Sequence, residues 1–159
     1  METPALLINH YDMKKHPEGG YYTETYRSEE FIDLDRGKRS LCTAIKFLLT
    51  KDEISHFHRI ESDEGWHFHL GDPLKIIEIT SQGTLIETIL GTDFQEGQLQ
   101  HYFVKAGHWF AAISLGNFSF FGCTVSPGFD FKDFELAQKR KLEELFPQHQ
   151  EVIKTYSLN

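Results

Sequence analysis

Apolar and polar residues alternate over short stretches through most of the chain, and between 41 and 125 these stretches recur about every ten residues. Alternation of this kind is typical of half-buried β-strands. The predicted strands are 21–27, 41–49, 54–60, 66–70, 74–80, 84–90, 98–104, 109–114 and 118–125. The polar segment 28–40 is predicted to be a loop or an exposed hairpin with its tip at 35–37. Because no long helix interrupts the series, we expect a β-sandwich or barrel rather than βαβ units.

Helical patterns are confined to the two ends of the chain. Thr3 followed by Pro4 predicts the start of a short helix that includes Met13 and ends before Pro17. Apolar residues from Phe134 to Leu145 fall at helical spacing, and a second short helix is predicted over 148–156. We therefore predict one domain over 1–159, with a β-body at about 20–127 and a helical cap at about 131–156.

Composition narrows the classes of function. The chain has 159 residues and a formal net charge of -8, and it contains no basic run, so nucleic acid and anionic membranes are not expected partners. Its apolar runs are too short to cross a membrane. Cys42 and Cys123 lie in apolar, strand-like runs and are predicted to be buried thiols rather than a disulfide. These features favour a cytoplasmic location.

The segment 55–71 carries the clearest candidate chemistry. His56 and His58 are two residues apart, so on a strand their side chains share a face, and a hairpin would bring Glu64 to the same pocket. Two histidines and one carboxylate suit Fe(II) or Mn(II). The alternative is a polar lining that binds an organic ligand by hydrogen bonds without a metal.

The alternation of side chains along a strand predicts which neighbours of Glu64 face inward. If Glu64 points inward, Trp66 and the alternate residues to Leu70 also point inward, and His67 and His69 face outward. A bulge would reverse this assignment.

The first long strand offers a second wall of candidates. Tyr22, Glu24 and Tyr26 share one face and Arg27 lies on the other, so either Glu24 or Arg27 is expected to point inward. An inward Arg27 could grip an anionic substrate group with two hydrogen bonds. The alternative is a surface strand at a dimer interface. Glu18, in the preceding turn, could contact a ligand at the mouth of the barrel.

Arg59 lies between the histidines and an acidic loop. It is a candidate ligand contact, and the alternative is an ion pair with Glu61 or Asp63 that holds the loop.

The spacing in 55–71 resembles the first cupin motif, Gly-x5-His-x-His-x3,4-Glu-x6-Gly, with the gap before Glu64 one residue longer than usual. In the second motif, Phe110 stands where the fourth metal ligand is found. Nearly the whole chain resembles the cupin-5 family. The segments that carry the resemblance are His16-Pro17-Glu18-Gly19-Gly20-Tyr21-Tyr22, Glu24-Thr25-Tyr26-Arg27-Ser28, Ser55-His56-Phe57-His58-Arg59, 63–74, Leu90-Gly91, Ala106-Gly107 and Cys123-Thr124-Val125-Ser126-Pro127-Gly128-Phe129.

The resemblance implies a jelly-roll barrel that is commonly dimeric and related in fold to nucleotide-sugar epimerases. It leads to the hypothesis of an isomerase or epimerase acting on a small, sugar-like metabolite. In this hypothesis His58 is the base, Glu64 orients it or completes a metal site, and Tyr22 or Tyr26 is the opposing acid. The expected ligand contacts are His56, Glu18, Glu24, Arg27, Arg59, Trp66 and Phe110.

Two other functions remain open at this point. One is a non-catalytic module that binds a small molecule in the same pocket. The other is a metal-dependent enzyme, such as a dioxygenase, that uses Fe, Mn, Ni or Zn held by His56, His58 and Glu64.

Overall fold

The computed structural model of the protein describes residues 3–158, so the outermost positions of the predicted domain, 1, 2 and 159, lie outside the described residues. The three α-helices are α1 (Pro4–His10), α2 (Lys139–Leu145) and α3 (Gln150–Tyr156). The strands are β1 (Lys14–Lys15), β2 (Tyr21–Arg27), β3 (Phe31–Leu34), β4 (Gly37–Ser40), β5 (Thr43–Thr50), β6 (Ile54–Arg59), β7 (Asp63–Gly71), β8 (Leu74–Ile79), β9 (Leu85–Leu90), β10 (His101–Val104), β11 (Trp109–Ser114), β12 (Phe118–Ser126) and β13 (Glu135–Leu136).

The strands form two antiparallel sheets that face each other. The six-stranded sheet has the order β1-β2-β5-β12-β7-β10, and the five-stranded sheet has the order β13-β6-β11-β8-β9. The predicted hairpin over 28–40 is present as β3 and β4, which pair only with each other among the described strands. The prediction of an all-β jelly roll with short terminal helices is confirmed.

Three apolar clusters hold the layers together. Trp66, Phe110 and Phe121 lie at the centre of the cluster between the sheets. On the outer face of the five-stranded sheet, α2 and α3 cover a second cluster that includes Phe57 and Ile153. The third cluster lies between α1 and the outer face of the six-stranded sheet. The middle strands are therefore buried on both faces, which explains their nearly continuous apolar sequences.

β-Bulges in β2 and β7 change which side chains face the interior. In β2, Glu24 pairs with Ile45 and Tyr26 with Ala44, so Thr25 is an extra residue. In β7, His69 is extra in the same way, and Leu70 packs on the outer cluster with α1 rather than inward as predicted. A bulge shifts the alternation of all residues that follow it in the strand.

The helical and loop predictions were wrong in detail at three places. Helix α1 ends at His10, and Met13 lies beyond it. Strand β7 begins at Asp63, inside the predicted loop. The predicted helix from Phe134 begins only at Lys139, because the preceding segment pairs with β6 as β13 and Phe134 borders a cavity. No helix within residues 3–158 is long and apolar enough to cross a membrane.

Candidate functional site

A cavity of about 470 Å³ opens between the sheets, a volume in the usual range of small-molecule sites. Its walls come from β2, β5, β6, β7 and β12, and one side is closed by the segment 129–134. The lining residues are Lys14, His16, Glu18, Tyr22, Thr23, Glu24, Arg27, Thr43, Ile45, Phe47, His58, Ile60, Glu64, Cys123, Val125, Phe129, Asp130, Phe131 and Phe134.

The turn before β2 places Glu18 in this cavity. Gly19 and Gly20 have φ values of 112° and 78°, which favour glycine, and the turn closes with a hydrogen bond of 3.0 Å from His16 N to Gly20 O. A Cβ atom at Gly19 would lie 2.0 Å from the Ile54 carbonyl oxygen, so no larger residue fits. The Glu18 carbonyl accepts from the backbone N–H of His56 at 2.8 Å and from the His56 ring Nδ1 at 2.6 Å.

The Glu18 carboxyl group is the centre of a buried hydrogen-bond network. Ser55 Oγ donates to Oε1 at 2.7 Å, and His58 Nε2 lies 3.1 Å from Oε2. His16 Nδ1 is 3.3 Å from the same Oε2. All of these side chains are buried, with Glu18 5% and His58 2% exposed. The network therefore lies in a low-dielectric environment where the position of each proton matters.

Hydrogen-bond partners determine the protonation of His58. Its Nδ1 lies 2.7 Å from the His56 carbonyl oxygen, which can only accept, so Nδ1 carries the proton. Burial lowers the pKa of His58 to about 3, so the ring is neutral and its Nε2 has a free lone pair. Burial, together with the nearby Glu64, raises the pKa of Glu18 well above its usual value. Glu18 therefore carries a proton on Oε2 and donates it to His58 Nε2.

His16 is also neutral. The Glu18 N–H donates to His16 Nδ1 at 3.2 Å, so Nδ1 is an acceptor, and burial lowers the pKa of His16 to about 4. Because the lone pair of His16 Nδ1 already accepts from the Glu18 N–H, His58 Nε2 is the acceptor for the Glu18 carboxyl proton.

Glu64 lies in β7, on the sheet opposite His58. It is 8% exposed, and burial raises its pKa from 4.5 to about 7, partly offset by a hydrogen bond with Cys123. Burial and the two neighbouring glutamates raise the pKa of Cys123 well above its usual value, so this thiol is neutral and donates to Glu64. A carboxyl group that titrates near neutral pH is suited to exchange protons with a ligand.

Charged side chains occupy the exposed mouth of the cavity. Arg27 Nε and Nη2 donate to the two Glu24 carboxylate oxygens at 2.9 and 2.8 Å, and Nη2 also donates to Phe129 O at 3.1 Å. The Thr25 bulge brings both residues to the cavity side, whereas simple alternation predicted only one. The Arg27 guanidinium group is therefore already bonded to Glu24, whereas the sequence predicted that it could bind an anionic substrate group with two hydrogen bonds.

Several predicted site residues lie elsewhere. Tyr22 lines the cavity, but the same bulge turns Tyr26 outward, where it is 55% exposed. Trp66 and Phe110 are core residues outside the lining, and the Phe110 ring packs against the His58 ring with centroids 4.1 Å apart. These two residues support the cavity floor, and their predicted contact with a ligand was wrong.

Two further predictions were wrong because the side chains concerned, His56 and Arg59, are bonded to other residues. The His56 ring bonds the Glu18 backbone and lies outside the lining, so it positions Glu18 rather than a ligand. Arg59 donates to Glu135 at 2.7 Å and covers the Trp109 ring, whereas Asp63 pairs with Lys105. Arg59 therefore contacts neither the cavity nor the acidic residues predicted for it.

The residues of the predicted metal site do not fit a metal ion. His58 Nε2 faces Glu18 rather than Glu64, and His56 lies outside the lining of the cavity that Glu64 borders, so the three side chains do not converge on one point. Within residues 3–158, no group of three or more His, Cys, Asp or Glu side chains is arranged to hold a metal. The apolar Phe110 at the fourth position agrees with this arrangement.

The most important feature missed from the sequence is the partner of His58. Glu18, not Glu64, contacts this ring, and His16, Cys123, Phe131 and Phe134 also border the cavity. The segment from His16 to Gly20 is conspicuous in the sequence as a glycine turn with a histidine and a glutamate. Its pairing with a strand about 40 residues later is not visible in any local pattern.

A jelly roll with a polar cavity between its sheets defines a cupin-type protein. The Cupin_5 family model, described as Cupin superfamily (DUF985), matches residues 5–137, and the chain belongs to this family. The chain is 28% identical over 144 residues to the uncharacterized protein YML079W of Saccharomyces cerevisiae, covering 80% of this chain and 71% of the yeast protein.

Solved structures agree with this assignment. A hypothetical protein from Leishmania major matches with a TM-score of 0.94 and 35% identity, over 99% of this chain and 100% of that one. Protein SO0799 from Shewanella oneidensis matches with a TM-score of 0.93 and 39% identity, over 99% of both chains. Oxalate decarboxylase from Bacillus subtilis, at 12% identity and a TM-score of 0.58 over 91% of this chain and 37% of that one, shares the fold alone.

Proposed function

We propose that the protein is an isomerase or epimerase that moves protons on a small polar metabolite bound in the cavity. The observation that carries the proposal is the pair of buried acid–base systems on facing sheets. The proton between Glu18 and His58 lies on one side, and Glu64 lies on the other. A reaction that removes a proton at one atom and adds one at another needs two such groups.

In the proposed reaction, ionised Glu64 removes a proton from a carbon next to a substrate carbonyl group. The electrons of the C–H bond form the double bond of an enediol, and the carbonyl oxygen takes the proton held between Glu18 and His58. Return of the Glu64 proton to the neighbouring carbon, with loss of a hydroxyl proton to the Glu18–His58 pair, moves the carbonyl group. For inversion, the proton held between Glu18 and His58 goes instead to the first carbon, on the face opposite Glu64, and the carbonyl group re-forms; Glu64 then loses its proton to solvent and Glu18 takes one up.

The pKa of Glu64 supports this role for it. With a value of about 7, both its protonated and its ionised forms are populated at neutral pH. General acid–base groups work best when their pKa lies close to the working pH. This proposal revises the hypothesis drawn from the sequence, since Glu18 rather than a tyrosine supplies the acid.

The test is proton exchange with solvent. Hydroxy-aldehydes and hydroxy-ketones are incubated with the protein in D₂O, and loss of the C–H signal is followed by NMR. Wild type should exchange the proton, and Glu64→Gln or Glu18→Gln should slow exchange by about 10²-fold or more. Glu144→Gln, at an exposed position in α2, is the matched control and should behave as wild type. Binding of a ligand without any exchange would identify a binding module instead.

A further inference from the structure

The two ends of the cavity differ in charge. At the inner end, the pKa values of Glu18, His16, His58 and Cys123 are all shifted toward the uncharged form. Glu64, with a pKa of about 7, changes charge near neutral pH. The inner end therefore presents uncharged donors and acceptors, which suit hydroxyl and carbonyl groups.

The mouth carries no surplus of positive charge. Two basic side chains, Lys14 and Arg27, stand with two acidic ones, Glu24 and Asp130. Glu24 already takes both ends of the Arg27 guanidinium fork, and Asp130 adds to the negative potential at Arg27. A phosphate or carboxylate group entering here would have to compete with Glu24 for Arg27.

One wall of the cavity is apolar and aromatic. Phe129, Phe131 and Phe134 pack edge to face with each other, at centroid distances of 4.9 to 6.3 Å, and all three border the cavity. Tyr22 and Phe47 extend this surface. Small-molecule sites commonly combine such aromatic walls with a few well-placed polar groups.

We propose that the cavity binds an uncharged, polyhydroxylated ring, the chemistry of an unphosphorylated cyclic sugar, and discriminates against sugar phosphates and sugar acids. This substrate class rests on the proposed function, in that the same cavity is taken as the site of proton transfer, which acts on the open-chain carbonyl form in equilibrium with the ring. One face of the ring lies on the phenylalanine wall, and its hydroxyl groups reach the neutral groups at the inner end. The predicted binding of an anionic group by Arg27 is replaced by this assignment.

The first experiment compares matched ligands with the full-length wild-type protein. Dissociation constants are measured by NMR titration for glucose and fructose, for their 6-phosphates, and for gluconate. Each neutral sugar should bind about tenfold more tightly than its charged counterpart, because Glu24 and Asp130 offset Arg27 and Lys14, and a charged group entering the cavity loses hydration without a net electrostatic attraction. The inference is overturned if a charged member binds more tightly, or if neither neutral sugar binds.

The second experiment changes the charge of the mouth. Glu24→Gln frees the Arg27 fork while leaving the inner end untouched, so it should improve binding of glucose 6-phosphate relative to glucose by about tenfold. Glu144→Gln again serves as the control with the same change in net charge. Equal effects of both variants would show that Glu24 does not exclude anions and would overturn the inference.

The two proposals fail in different ways. A neutral sugar that binds without exchanging a C–H proton in D₂O contradicts the isomerase proposal and leaves the ligand class standing. A sugar phosphate that binds preferentially and exchanges its proton contradicts the ligand class and leaves the isomerase proposal standing.

Discussion

Within residues 3–158, two buried glutamates contact histidine rings, and only one of them borders the cavity. Glu18 and His58 meet at 3.1 Å in the lining. Glu78 is also buried, and its two oxygens contact Tyr102 Oη at 2.7 Å and His108 Nδ1, but these three residues lie outside the lining. Glu78 is on the five-stranded sheet and Tyr102 on the six-stranded sheet, so their hydrogen bond ties the two sheets together.

The comparison shows that residue type does not decide the role of such a pair. Glu78 bonds Tyr102 on one oxygen and His108 on the other, so both of its oxygens are engaged within the protein. Glu18 is also bonded on both oxygens, to Ser55 and to His58, but its hydrogen bond with His58 borders a cavity that a ligand can enter. A proton held beside such a cavity can be transferred to a ligand, whereas the hydrogen bonds of Glu78, outside the lining, stabilise structure.

Replacing His58 or His108 by glutamine should separate the proton-transfer role of Glu18 from the structural role of Glu78 most strongly. His58→Gln should slow solvent exchange of the substrate C–H proton by roughly 10²- to 10⁴-fold, because it removes one partner of the transferable proton. His108→Gln should keep the rate within about threefold of wild type. Exchange rates in D₂O and thermal unfolding of both variants measure the effect. Equal losses of rate in two folded variants would contradict the assignment.

The raised pKa of Glu64 should be measurable as a pH dependence of the free energy of unfolding. An unperturbed glutamate has a pKa of 4.5 and Glu64 in the folded protein one of about 7, so the unfolded chain releases this proton first as pH rises. Wild type therefore loses stability between pH 4.5 and about 7 and loses no more above that range. Glu64→Gln does not titrate, so its stability relative to wild type should increase through this window by up to roughly 3 kcal/mol.

Urea unfolding at pH 5, 6, 7 and 8 measures this difference, with Glu144→Gln as the control. A difference between Glu64→Gln and wild type that does not change with pH would mean that Glu64 has an ordinary pKa in the folded protein.

The two buried glutamates should respond differently to replacement by glutamine. In Glu18→Gln, the amide oxygen can accept from Ser55 and the amide N–H can donate to His58, so the cost should be under about 1 kcal/mol. In Glu78→Gln, a single oxygen remains as acceptor for Tyr102 and His108, which contact one oxygen each in the wild type. The cost should be about 1–3 kcal/mol. The reverse order of the unfolding free energies would show that Glu18 is ionised in the folded protein.

The smallest expected effect is that of two tyrosine replacements in strand β2 on ligand binding. Tyr22→Phe should weaken ligand binding several-fold, because the hydroxyl group of a cavity residue is lost, and Tyr26→Phe should change it by less than about twofold. NMR titration with the same ligand compares the two variants. An effect of Tyr26→Phe as large as that of Tyr22→Phe would place the Thr25 bulge in doubt.

Much of the fold was predictable because strands leave a local signature. Runs such as 74–80 and 109–114 combine apolar residues with turn signals at both ends, and they appear as β8 and β11 with little change. The bulges at Thr25 and His69 were not predictable, since an extra residue in a strand carries no distinctive composition. Their effect was large, because they decided the direction of Tyr26, Arg27 and Leu70.

The candidate site was predictable in part. His58 and Glu64 were identified from their spacing, and both border the cavity. The role of Glu18 was not, because its carboxyl group meets Ser55 and His58 only after the turn at Gly19 packs against β6. The segment 131–136 was predicted to join a helical cap, and contacts with the cavity and the Asp133–Arg39 ion pair hold it in another conformation. Such long-range contacts override local helical spacing.

The central claim is that Glu18 is protonated and donates to a neutral His58, and ¹⁵N NMR of the histidine rings tests it most directly. Resonances are assigned by comparison with His58→Gln. At pH 7, His58 should be neutral, with its proton on Nδ1 and none on Nε2, and it should remain so to well below pH 6.5. A protonated His58 ring at pH 7, or a neutral ring with its proton on Nε2, would contradict the account.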